Sequence, residues 1–142
     1  MTQMTTRAIT VTRTDLARLQ QLLQSQFAIA IGEGRPHLAE LADALDQAQW
    51  VDSQSIRPNV ITMNSTFKLV DVQRDESETY TLVYPEEACI AEGKLSILSP
   101  LGSQLLGRNV GQDVCFSVSD RKVHKRVAKI WFQPERVGAF NL

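Results

Sequence analysis

Thiols and imidazoles are scarce in this chain, with two cysteines and two histidines among 142 residues. Cys89 and Cys115, with His37 and His124, match no metal-ligand spacing, which argues against a zinc site. Both cysteines sit in apolar surroundings, so the expectation is buried thiols in a reducing cytoplasm. No run approaches the ~20 apolar residues of a membrane-crossing helix. Met1 to Thr12 lacks the apolar core of a signal peptide, and the reading is a cytoplasmic protein without membrane contact. Excess charge is missing too. A net charge of −1 excludes coating nucleic acid through bulk electrostatics, so any such contact needs a local patch or a partner.

Catalytic signatures are equally absent. There is no Gly-x-Ser-x-Gly elbow, no phosphate loop and no His-Glu-x-x-His. Gly32-Glu33-Gly34 begins like a dinucleotide fingerprint, but His37 occupies the place of the third glycine and no βαβ unit surrounds it. The acid pair Glu86-Glu87 falls on a turn between strands, where a solvated surface is the simpler reading. These absences predict a non-enzymatic protein with no metal and no cofactor.

What is present is an ordinary globular composition, 43% hydrophobic and 22% charged, sized for one domain or a small domain with an appendage. Residues 1–13 are Thr-rich and read either as an edge strand or as a tail. Thr14 is the expected cap of a helix whose Leu16, Leu19, Leu23 and Phe27 recur at spacings of three and four. After the break at Ala28–Pro36, Leu38, Leu41, Leu45 and Ala48 resume that spacing. The two segments predict a short antiparallel helical hairpin over 14–50, with Glu33 and Arg35 at its tip and Trp50 anchoring its foot. A polar linker, 51–59, follows, and residues 60–142 form the main domain. Strands are expected at 60–63, 66–72, 79–84, 94–98, 113–118 and 123–132. Alternations such as Tyr80/Leu82/Tyr84 indicate half-buried antiparallel strands, and with one short helix the class is α+β.

That helix lies in the most informative stretch, Lys94 to Gly107. Ser99 is placed to cap it, Pro100 suits its first position, and Leu101, Leu105 and Leu106 give it an apolar face. Gly107 can adopt the left-handed conformation that ends it. Upstream stands Glu78–Ala88 (ETYTLVYPEEA), and downstream Asn109–Val114 (NVGQDV). In this order the segments resemble the C-terminal domain of the bacterial GreA/GreB transcript-cleavage factors. Val60–Ser65 (VITMNS) and Ile130–Glu135 (IWFQPE) point to the short-armed Rnk branch of that family. The likeness covers 57–136 well and the first fifty residues loosely.

The resemblance implies an FKBP-like domain carrying an N-terminal coiled coil, and bacterial RNA polymerase as partner. Gre factors pass a long coil through the polymerase secondary channel and help hold a catalytic Mg²⁺ with paired acids at its tip. Mg²⁺ requires clustered hard oxygen ligands. Here the tip offers Glu33 alone, offset by Arg35, on a much shorter arm. The resulting expectation is polymerase binding near the channel without cleavage stimulation, in competition with true Gre factors. Resemblance assigns the rim contact to Ser99, Pro100 and Leu101, with Leu98 where Gre factors often carry an acid. Two rival readings are an FKBP-like peptidyl-prolyl isomerase and a cleavage factor acting through Glu33 as a minimal tip.

Finally, Arg121, Lys122, His124, Lys125, Arg126 and Lys129 crowd one strand. Contact with DNA or RNA phosphates is one reading and a solvated strand edge the other. Successive strand residues face opposite ways, so these six cannot form a single patch.

Overall fold

The computed structural model describes residues 9–25, 36–118 and 120–140. Glu33, Arg35 and Phe27, and with them the expected hairpin tip, lie outside the described residues.

Strand β1 (Thr10–Thr12) leads directly into helix α1 (Arg13–Leu23), and helix α2 (Pro36–Asp46) leads into β2 (Gln49–Val51). Thr12, rather than Thr14, caps α1: its hydroxyl accepts the Asp15 N–H at 3.0 Å. The helix therefore starts earlier than the Leu spacing suggests. β1 and β2 pair in parallel, Thr10 opposite Gln49 and Val11 opposite Trp50. Leu19 from α1 and Leu38, Leu41, Ala44 and Leu45 from α2 are buried in the same apolar cluster as the sheet residues below. Burying one such leucine stabilises by about 1.5–3 kcal/mol, more than these short helices supply on their own.

Trp50 is not the anchor expected of it. It is 51% exposed, with the Arg13 guanidinium 4.8 Å above its ring. It stays exposed although its ladder partner Val11 is buried, so the β1–β2 pairing and the buried leucines hold α1 and α2 in place.

A five-stranded sheet follows: β3 (Thr66–Asp71), β4 (Glu76–Val83), β5 (Lys94–Ser96), β6 (Asp113–Val118) and β7 (Arg121–Phe132), in the order β5-β4-β3-β7-β6. Phe67, Leu69, Leu82, Val114, Val127 and Ile130 point to the core, as strand alternation requires. The β3–β4 turn closes on Asp71, whose Oδ1 accepts the N–H groups of Gln73 and Arg74. The sheet is not wholly antiparallel, because β5 runs parallel to β4. Two 3-10 turns, Pro85–Glu87 and Ile90–Glu92, carry the chain back before β5 starts. The expected strand at 60–63 reduces to one bridge, Val60 to Asn109. Its neighbours satisfy their backbone otherwise: Ile61 N–H donates to Arg108 O and Thr62 N–H to the Ser65 hydroxyl. Helix α3 (Pro100–Leu105) closes the core beside β5 and β6. Cys115 is exposed and Cys89 half-buried, so neither is the buried thiol expected; Cys115 takes the outward position of its strand.

Candidate functional site

Short-range side-chain bonds help fix the turn entering α3. Ser99 Oγ accepts the Gly102 N–H at 3.0 Å and donates to Ser96 O at 2.7 Å. Ser96 Oγ accepts the Leu98 N–H at 3.0 Å, and Ser103 Oγ donates to Pro100 O at 2.9 Å. Pro100 occupies the first helical turn, where a missing N–H is harmless. Gly102 permits the closest approach: a Cβ there would stand 2.0 Å from Ser96 O. Gly107 ends the segment at φ +78°, against Ile9 of the N-terminal ribbon. Helix α2 is tied to the same turn. His37 Nε2 lies 2.9 Å from Leu98 O, and Gln104 Nε2 donates to Glu40 Oε2 at 3.3 Å.

Beside this turn opens a groove of about 390 Å³. It is lined by Ser99, Pro100 and Leu101 of the turn, by Leu95 and Phe116, and by Arg121, Val123 and Lys125 of β7. The Ser-Pro turn and part of the basic strand, distant in sequence, thus share one site. Cross-strand pairing of Phe116 with Val123 and of Val114 with Lys125 puts those side chains on the core-facing side of the sheet. In the sequence Phe116 and Val123 stand out as strand residues and not as members of a site. Their alternation was the available signal, but without the β6–β7 register it could not be connected to the turn.

Charge in the groove is uneven. Lys125 Nζ sits 2.5 Å from Glu78 Oε1 and 3.9 Å from Asp71 Oδ2. That hydrogen bond from Lys125 is the chief reason the Glu78 carboxyl is held below its ordinary value. Arg121 has no ion-pair partner among the described residues and is exposed. Lys122, Arg126 and Lys129 leave the groove altogether, on the opposite side of β7. Arg126 and His124 both engage Asp113, at 2.7 Å each, and hold its carboxyl low. Among the described residues no cluster of His, Cys, Asp or Glu is arranged to hold a metal ion. The arrangement is equipped for binding an apolar segment beside a positive rim, and it brings together no nucleophile and base.

Residues 56–132 match the family described as "Transcription elongation factor, GreA/GreB, C-term", and residues 7–51 match "Rnk N-terminus". The "Regulator of nucleoside diphosphate kinase" of Escherichia coli K12 is 33% identical over 129 residues, spanning 90% of this chain and 92% of that protein. "Transcription elongation factor GreA" of Thermodesulfovibrio yellowstonii is 31% identical over 101 residues, but the match spans only 63% of its length. Among solved structures, the "Prokaryotic transcription elongation factor GreA/GreB from Nitrosomonas europaea" superposes with a TM-score of 0.73 at 30% identity. That match covers 89% of this chain and 99% of the other.

Proposed function

This chain belongs to the GreA/GreB transcription elongation factor family, and from that membership we propose that it binds bacterial RNA polymerase near the secondary channel and competes there with Gre factors without stimulating RNA cleavage. The carrying observation is the groove that joins Ser99, Pro100 and Leu101 to Phe116 and Arg121. It gives the expected rim contact an apolar floor and a cationic edge, a form suited to capturing a protein segment.

The arm supports the rest. We read α1 and α2 as the two sides of a short hairpin on an FKBP-like body, with 51–59 as the joint between arm and body. Eleven-residue helices extend about 16 Å each. A single tip acid, Glu33, beside Arg35 is a poor ligand set for Mg²⁺. Reach and charge both speak for a non-catalytic regulator working in the cytoplasm with the polymerase. The groove's single aromatic, Phe116, speaks against a proline-isomerase pocket.

The test is a titration into backtracked polymerase complexes, with and without a true Gre factor, reading RNA cleavage. Suppression of Gre-dependent cleavage with none of its own is the expected result. Cleavage by this protein alone would restore Glu33 as a working tip. No effect in either arm, well above the Gre concentration, would remove the model.

A further inference from the structure

The other side of the sheet is open. The helices pack against β1, β2, β5 and β6, and most outward residues of β4 and β7 are exposed, with Thr81 and His124 half-buried. Register assigns Thr66, Lys68 and Val70 of β3 to this side, with Ser77, Thr79 and Thr81 of β4. β7 adds Lys122, Arg126, Lys129 and Trp131. Asp113 is the acid that the register places here among the described strand residues, and His124 and Arg126 already occupy it.

Two features of this face bear on what it could bind. Lys68 stands directly opposite Lys129, and like charges facing each other across a ladder are destabilising. Neither lysine has a carboxylate partner among the described residues, and the same holds for Lys122. Next to this pair, Trp131 is 51% exposed, with the Lys129 ammonium 4.3 Å above its ring. A polyanion would relieve the lysine pair, and a planar, uncharged group would complete the indole stack. Single-stranded nucleic acid carries both in one repeating unit, and stacked bases on aromatic side chains between phosphate-binding cations are its general mode of capture. Duplex DNA hides its base faces. An anionic membrane would demand more apolar surface than one indole among lysines and threonines.

We propose that this outer face binds single-stranded RNA or DNA, with Trp131 stacking on a base and Lys68, Lys122 and Lys129 holding phosphates. On binding, the Lys129 ammonium moves from the indole to the adjoining phosphate. The site lies on the opposite side of the sheet from the groove and stands whether or not the groove binds polymerase.

The experiment uses the full chain with Trp50→Phe, which leaves Trp131 as the only indole reporter. Oligo(dT) and oligo(U) are titrated at low salt, reading indole quenching and the anisotropy of a labelled oligonucleotide. Saturable quenching is expected, with affinity falling linearly in log salt. Lys68→Glu and Lys129→Glu should each weaken binding about tenfold or more and reduce the salt slope by roughly one. Trp131→Ala should cost about tenfold or more, and Trp131→Tyr should restore most of it. Pro100→Asp and Arg121→Glu, in the groove, should leave it unchanged. Absence of saturable binding, binding indifferent to Trp131→Ala and Lys68→Glu, or binding to phosphatidylserine vesicles in place of oligonucleotide would each overturn the proposal.

Discussion

The Asp15 carboxylate, in the first turn of α1, accepts the backbone N–H of Met63 at 3.1 Å across 48 residues of chain. The acid is 2% exposed, and it joins α1 to the segment that leads into β3. Burial is the main reason its pKa rises from 3.8 to about 7; Glu135 adds to the rise, while the Met63 N–H, Arg18 and Thr12 oppose it.

A pH dependence follows from that position. The folded protein holds the Asp15 proton more tightly than the unfolded chain, so this group favours folding most below about pH 4. The advantage is lost as pH rises through about 7. The gap between 3.8 and about 7 corresponds to at most about 4 kcal/mol. Asp15→Asn keeps the acceptor for Met63 and cannot ionise. Urea unfolding at pH 5 and pH 8 should show the parent losing stability between the two and the variant losing much less. Equal losses would show that Asp15 is not the responsible group.

The Ser-Pro turn should be sensitive at two places by different routes. Ser99→Ala removes a cap and should cost about 1 kcal/mol. Gly102→Ala forces a methyl group to 2.0 Å from Ser96 O, so the backbone must move, at about 1–3 kcal/mol or more. Thermal melts of the two variants should rank glycine as the more damaging loss. A Gly102→Ala protein as stable as the parent would contradict the close approach.

Pro100→Asp addresses binding instead. Pro100 is partly exposed on the groove wall, and the first helical turn accepts an acid readily. The fold should survive, with melting within a few degrees of the parent, while polymerase affinity falls at least tenfold in a direct binding measurement. Retained affinity would send the contact to another surface.

Leu19 is fully buried on α1 within the core shared with the sheet. Leu19→Ala should destabilise the protein by about 2–5 kcal/mol, measured by chemical unfolding. A value near zero would mean that the arm is held elsewhere.

Local patterns explain most of what was readable from sequence. The Ser99 cap, the Pro100 start and the left-handed Gly107 depend on neighbours a few residues apart, and all three stand as the residue types suggest. β3, β6 and β7 likewise follow from alternation. Longer-range relations were hidden. Asp15 reads as an ordinary first-turn acid, since its burial depends on Met63 arriving from the body. Val60–Met63 looks like a strand because its apolar residues are buried, yet its backbone is satisfied by loops. The parallel course of β5 depends on two tight turns whose combined direction no residue announces. Groove and outer face become separate surfaces only when the β6–β7 register sorts the basic residues by side.

The parallel β1–β2 ribbon has one more consequence. It clasps the chain just before α1 and just after α2, so the start of one helix and the end of the other are fastened to each other. If α1 and α2 are the two sides of the proposed hairpin, matched insertions at their far ends would lengthen it while leaving Ile9, Gly107 and the Asp15–Met63 bond undisturbed. On the proposed hairpin reading, arm length is a variable that can change by whole helical turns at the far ends of α1 and α2.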